Sequence, residues 1–142
     1  MKFVWIQDLD IMSSAGGAQL TDRTHFLEGV KLGHDIWLHT PSSPPLTYKG
    51  RVPIISNASS FPLQMFQEMP RPYIWFFHDY WPCKYRLFYP MAEVCKNCYL
   101  RERWLPIFTK TALIVWLSPL HRKSWLWVYP ELEAVPYHLA PS

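Results

Sequence analysis

The chain contains no apolar run near the ~20 residues that cross a bilayer. Its opening, "MKFVWIQD", reaches Gln7 and Asp8 too soon for a secretory signal. Both absences lead to the expectation of a cytosolic (cytoplasmic) protein, with peripheral contact at a membrane surface as an open alternative. Cysteine is scarce: three residues, an odd number, make no secreted disulfide framework and leave reduced thiols or a metal site. The net charge is only +3. The basic residues are scattered, apart from a loose group at Lys96, Arg101, Arg103, Lys110, Arg122 and Lys123, which argues against a dedicated nucleic-acid binder. Neither Gly-x-Gly-x-x-Gly nor a P-loop lysine motif is present, so a dinucleotide fingerprint and a Walker-type phosphate loop are unsupported. There is no internal repeat and no low-complexity tract.

Aromatic side chains, in contrast, are plentiful. They make up 17% of the 142 residues, with eight tryptophans, more than an ordinary core of this size needs. Some rings are therefore expected on a surface that another molecule covers. At this length folding buries roughly two-thirds of the surface of the unfolded chain, so one domain over 1–142 is expected.

Short apolar runs alternate with turn formers and helical patterns. "KFVWIQ" (2–7) predicts a strand and "DLDIMSSAGG" a loop. From Ala18, the residues Leu20, Phe26, Leu27 and Val30 recur at helical intervals, and Gly33 stands where a helix C-terminal glycine belongs. "HDIWLHT" (34–40), "VPIISNAS" (52–59), "YIWFFHD" (73–79) and "ALIVWLS" (112–118) predict four more strands, and "AVPYHLAPS" a last one. A short helix is predicted over "PLQMFQEM", and another from Pro119 through "LHRKSWLW". Strands of continuous apolarity separated by helices imply a mainly parallel sheet buried on both faces. The fold class is thus α/β: a single Rossmann-like three-layer domain with about six strands. In such sheets ligands bind at the carboxyl ends of the strands, where strand order reverses. Gln7, Asp8, Asn57, His78, Asp79 and Ser118 all fall at such ends.

Three features carry potential chemistry. Gly16 and Gly17 stand at the mouth of the first helix, where backbone N–H groups and the helix dipole favour an anion. A tight turn is the plainer reading. His78, beside Asp79, ends the most apolar strand and suits proton exchange at neutral pH, or a structural hydrogen bond. Neighbours on a strand point to opposite faces, so Asp79 need not be its partner. Cys83, Cys95 and Cys98 give one Cys-x-x-Cys half-site and a third thiol, with His78 or His121 as a conceivable fourth ligand for a structural zinc. Packed or free thiols are the default.

In order, "GGAQ" opening a helix, "LGHDIWLHT", "FFHDYWPC" and "ALIVWLSPLHRKSW" resemble the N-terminal domain of the family 4 glycosyltransferases. These are retaining enzymes of GT-B type with two facing Rossmann-like domains, and the similarity runs from Lys2 to about Ala140. The resemblance implies an acceptor-side domain facing a nucleotide-sugar donor held by a second domain, with sugar passing to an acceptor hydroxyl. It implies that Gly16 and Gly17 approach the donor diphosphate and the transferred sugar. His78 would touch that sugar near the reacting carbon, in positioning and charge stabilisation. His78 is then the catalytic candidate, with Gly16, Gly17, Asn57, Asp79 and Ser118 as substrate-binding candidates and no cofactor required. Gln19 stands where an acidic residue is common in the family. The chain ends about where relatives enter their donor-binding domain, so the expectation is a half-enzyme completed by a separate donor-binding chain or by a homo-oligomer. The alternatives are a non-enzymatic binding or scaffold module, degenerate in its chemistry, and a truncated product without activity.

Overall fold

The computed structural model describes residues 1–8, 17–78 and 96–140. In chain order they form β1 (Lys2–Ile6), α1 (Gly17–Lys31), β2 (Asp35–His39), β3 (Val52–Ser56), α2 (Leu63–Gln67), β4 (Ile74–Phe77), α3 (Tyr99–Thr109), β5 (Leu113–Trp116), α4 (Pro119–Val128), a 3-10 turn (Pro130–Ala134) and β6 (Tyr137–Leu139). Every predicted strand is present, shorter by up to three residues at either end. The strands form one sheet in the order β2-β1-β3-β4-β5-β6, and every pairing is parallel. The expected α/β Rossmann-like domain is therefore the fold observed. Strand order reverses between β1 and β3, so the carboxyl ends of these two strands flank the topological switch point.

Alternation along the strands sorts side chains onto two faces. Val4, Ile6, Ile55, Trp75, Phe77, Ile114 and Trp116 belong to one buried cluster, closed over by Phe66 of α2, Trp104, Ile107 and Phe108 of α3, and Trp125 and Val128 of α4. The rings interlock: Trp75 lies 5.1 Å from Phe66 and 5.4 Å from Phe108, and Phe77 4.5 Å from Trp125, between centroids. Contacts at these spacings each add about 0.5–1.5 kcal/mol beyond the area buried. The aromatic excess goes largely here. Five of the seven described tryptophans are buried, while Trp37 and Trp127 are exposed. Those two carry cations over their rings: Arg51 at 3.5 Å from Trp37, and Lys96 at 3.8 Å from Trp127. Most of the surplus rings therefore go to the core and not to the surface.

The opposite face carries Trp5, Ile54, Ser56 and Phe76 in adjacent register and is met by α1. The helix is where the sequence predicts it, but it presents a different side. Leu20, Leu27 and Val30 are each 47% exposed. The stripe turned to the sheet is Asp22, His25, Phe26 and Gly29, at helical intervals of three and four. Phe26 packs edge-on to Trp5 and His25 edge-on to Phe76. At Gly29 a Cβ would stand 2.7 Å from Ile36 Cδ1, so glycine lets the helix lie close to β2. Gly33 ends the helix region with a φ of 93°, as its C-terminal placement predicts. Among the described residues no helix is long and apolar enough to cross a membrane.

Candidate functional site

β4 runs apolar to its end because it is covered on both faces, and the next residue, His78, emerges at the carboxyl rim on the α1 side. Its Nε2 lies 2.6 Å from Asp22 Oδ1. The other oxygen of the same carboxylate accepts the Ser56 hydroxyl at 2.5 Å. Asp22 is 1% exposed and Ser56 fully buried, and the His78 side chain is 5% exposed. A carboxylate only accepts, so its two oxygens draw the Ser56 O–H and the His78 Nε2–H together, from β3 and from the end of β4. That hydrogen bond sets the imidazole tautomer and orientation and leaves Nδ1 on the opposite edge of the ring. A charge removed from water to this degree must be paired and hydrogen-bonded to be tolerated.

α1 brings a second group to the same rim. It begins at Gly17, five residues before Asp22, an axial rise of about 7.5 Å, so its first turn opens on the end of the sheet where His78 stands. Gly16, Asp79, Cys83 and Cys95 lie outside the described residues. Cys98 is free and half-buried at the N-terminus of α3. Among the described residues no three His, Cys, Asp or Glu side chains gather to hold a metal ion.

At the switch point the polar residues are tied to one another. Asp8 N–H donates to the Asn57 carbonyl at 3.0 Å. Asp8 Oδ2 accepts the Ser59 hydroxyl at 2.7 Å, and Oδ1 the Ser60 N–H at 2.8 Å. Asn57 takes a positive φ of 37°, a turn conformation that asparagine tolerates. Ser118 caps α4, its Oγ accepting the His121 N–H at 3.1 Å, the ordinary work of an N-cap serine. A hollow of about 590 Å³ opens beside the carboxyl end of β2, lined by His39, Ser43, Leu46, Ser60, Phe61 and Met65 among others. His39 lies against Phe61, ring centroids 5.7 Å apart, and burial lowers its pKa below the ordinary value.

The candidate residues thus divide. His78 and the opening of α1 share the rim, Asn57 sits at its switch point through backbone and turn, and the described contact of Ser118 is its cap. Asp22 is the residue that sequence reasoning missed. Its signal was a shared stripe with His25 and Phe26, visible once the helix is turned by its polar residue and not by its leucines. No family model and no curated protein matches this chain.

Proposed function

We propose that this domain is the acceptor side of a retaining glycosyltransferase of family 4 type, facing a donor-binding domain across the carboxyl rim. One observation carries the reading: His78, at the end of β4, is gripped through Nε2 by Asp22 of the helix that follows the glycine pair. The contact ties the histidine of "FFHDYWPC" to the helix that "GGAQ" opens, two of the four motifs on which the resemblance rests. Asp22 and Ser56 hold the ring so that its opposite edge meets the transferred sugar near the reacting carbon. The N-terminal turn of α1 faces the departing diphosphate with backbone N–H groups. The acceptor occupies the hollow beside His39 and Phe61, where an aromatic ring and several hydroxyls can take a polyol or a similar hydroxyl-bearing group.

The test is reconstitution. Protein purified gently from its host is examined by native mass spectrometry for an associated nucleotide-sugar domain, and the complex is assayed for sugar transfer. His78→Ala is expected to lower transfer by about 10²-fold or more with the fold intact. A second reading, a binding or scaffold module without catalysis, is favoured by the depth at which Asp22 and Ser56 are buried, since a sealed triad also serves as a structural clasp. That reading predicts no transfer by any complex, and partner binding unchanged by His78→Ala.

A further inference from the structure

The amino-terminal end of the strands carries a second feature, independent of the rim. Arg103, Pro106 and Ile107 of α3 and Lys110, which caps its C-terminus, are spaced by three and four residues and so line one side of the helix. This side forms a wall of a hollow of about 320 Å³, closed from across by Arg71 and Tyr73 and floored by Phe66 and Met69. The size is that of a small-molecule pocket. Among the described residues no acidic side chain lines it. Tyr73 donates its hydroxyl to the Ile107 carbonyl, which fastens the approach to β4 onto α3 and fixes the wall. A second hollow of about 540 Å³, lined by Thr109 and Thr111, shares Arg71 and Lys110 with the first, so those two cations stand where the hollows meet.

The charges here differ from Arg51 and Arg101, the two arginines that form ion pairs among the described residues. Arg51 is bonded to Asp35 at 2.9 Å, and Arg101 to Glu131 at 2.5 Å. Among the described residues Arg71, Arg103 and Lys110 form no ion pair. Three cations converge on one concavity with an apolar floor and, among the described residues, no counter-charge, an arrangement matched to an anion of high charge density, which can accept several charge-assisted hydrogen bonds at once.

We propose that this hollow binds a phosphate or diphosphate group, with the anion between Arg71 and Lys110 and the rest of the ligand over Phe66 and Met69. The group can belong to a free phosphorylated small molecule or to a lipid headgroup. Tyr73 and His78 lie at opposite ends of β4, about 16 Å apart along the strand, so occupancy here leaves the rim open.

The experiment measures binding of pyrophosphate by calorimetry and of phosphatidic acid vesicles by sedimentation, with phosphatidylcholine vesicles as the blank. The variants are wild type, Arg71→Ala with Lys110→Ala, Arg103→Glu, and Lys49→Ala as a remote cation control. All four side chains are exposed. Wild type and Lys49→Ala are expected to bind alike, and the double variant and Arg103→Glu about tenfold or more weakly. Pyrophosphate binding that follows this pattern identifies a free phosphorylated ligand, and the same pattern confined to phosphatidic acid vesicles identifies a lipid headgroup. Arg103→Glu decides the matter if the double variant fails to fold. The proposal is overturned if neither probe binds at millimolar concentration, if binding survives in the variants, or if Lys49→Ala weakens it equally.

Discussion

The two faces of this sheet are built from different materials. One is closed by interlocked rings from three helices. The other is met by α1, and at its carboxyl end it buries a carboxylate, a hydroxyl and an imidazole in place of hydrocarbon. Apolar burial is non-directional and tolerates approximate fit. A buried polar cluster works only in one geometry, since each unmade hydrogen bond costs the full desolvation of its group. The aromatic face is therefore the source of stability, and the α1 face fixes where one histidine points.

The comparison can be broken most forcefully on the aromatic side. Trp75→Ala empties the centre of the cluster and is expected to cost about 3–5 kcal/mol, a large share of the stability of a domain this size, read by denaturant unfolding. Next is Asp22→Ala, which leaves the Ser56 hydroxyl and His78 Nε2–H without their acceptor, a loss of about 3 kcal/mol. Asp22→Asn keeps one acceptor oxygen and should cost roughly half as much. If Asp22→Ala proved neutral, the polar cluster would hold nothing in place. Ser118→Ala removes a helix cap away from both clusters and should cost about 1 kcal/mol.

The smallest effect is a pH dependence at His39. Burial lowers its pKa from 6.5, so between that folded value and 6.5 the unfolded chain binds more protons than the native one. Stability accordingly falls as pH drops below 6.5 and levels off below the folded pKa. His39→Gln should flatten that part of a melting-temperature profile, and an unchanged slope would place the titration elsewhere.

The sheet was legible because continuous apolarity bounded by turn formers has few other meanings, and parallel pairing followed from the intervening helices. The face of α1 was not. Leu20, Leu27 and Val30 outnumber the apolar residues that meet the sheet, yet Asp22 must reach both β3 and β4, and that turns the leucines outward. A carboxylate in mid-helix normally faces solvent, so nothing local marked Asp22 as the partner of a histidine 56 residues away. Ser118 does follow the carboxyl end of β5, and the proline after it, read with the helical pattern beyond, marks the cap that is its described contact. Four of the five buried tryptophans went inward because three helices on one face offer more large-ring sites than composition alone suggests, and Trp5 packs on the other face against Phe26.

The central claim is that Asp22 holds His78 through its Nε2–H and so fixes the tautomer of the ring, with Nδ1 left as its acceptor. Long-range nitrogen–proton correlation NMR on uniformly ¹⁵N-labelled protein at neutral pH reads that arrangement directly, with His78→Gln assigning the ring signals. The account predicts a protonated Nε2 for His78, with the signal shifted in Asp22→Asn. An Nδ1–H tautomer with a bare Nε2, unchanged by Asp22→Asn, would contradict it.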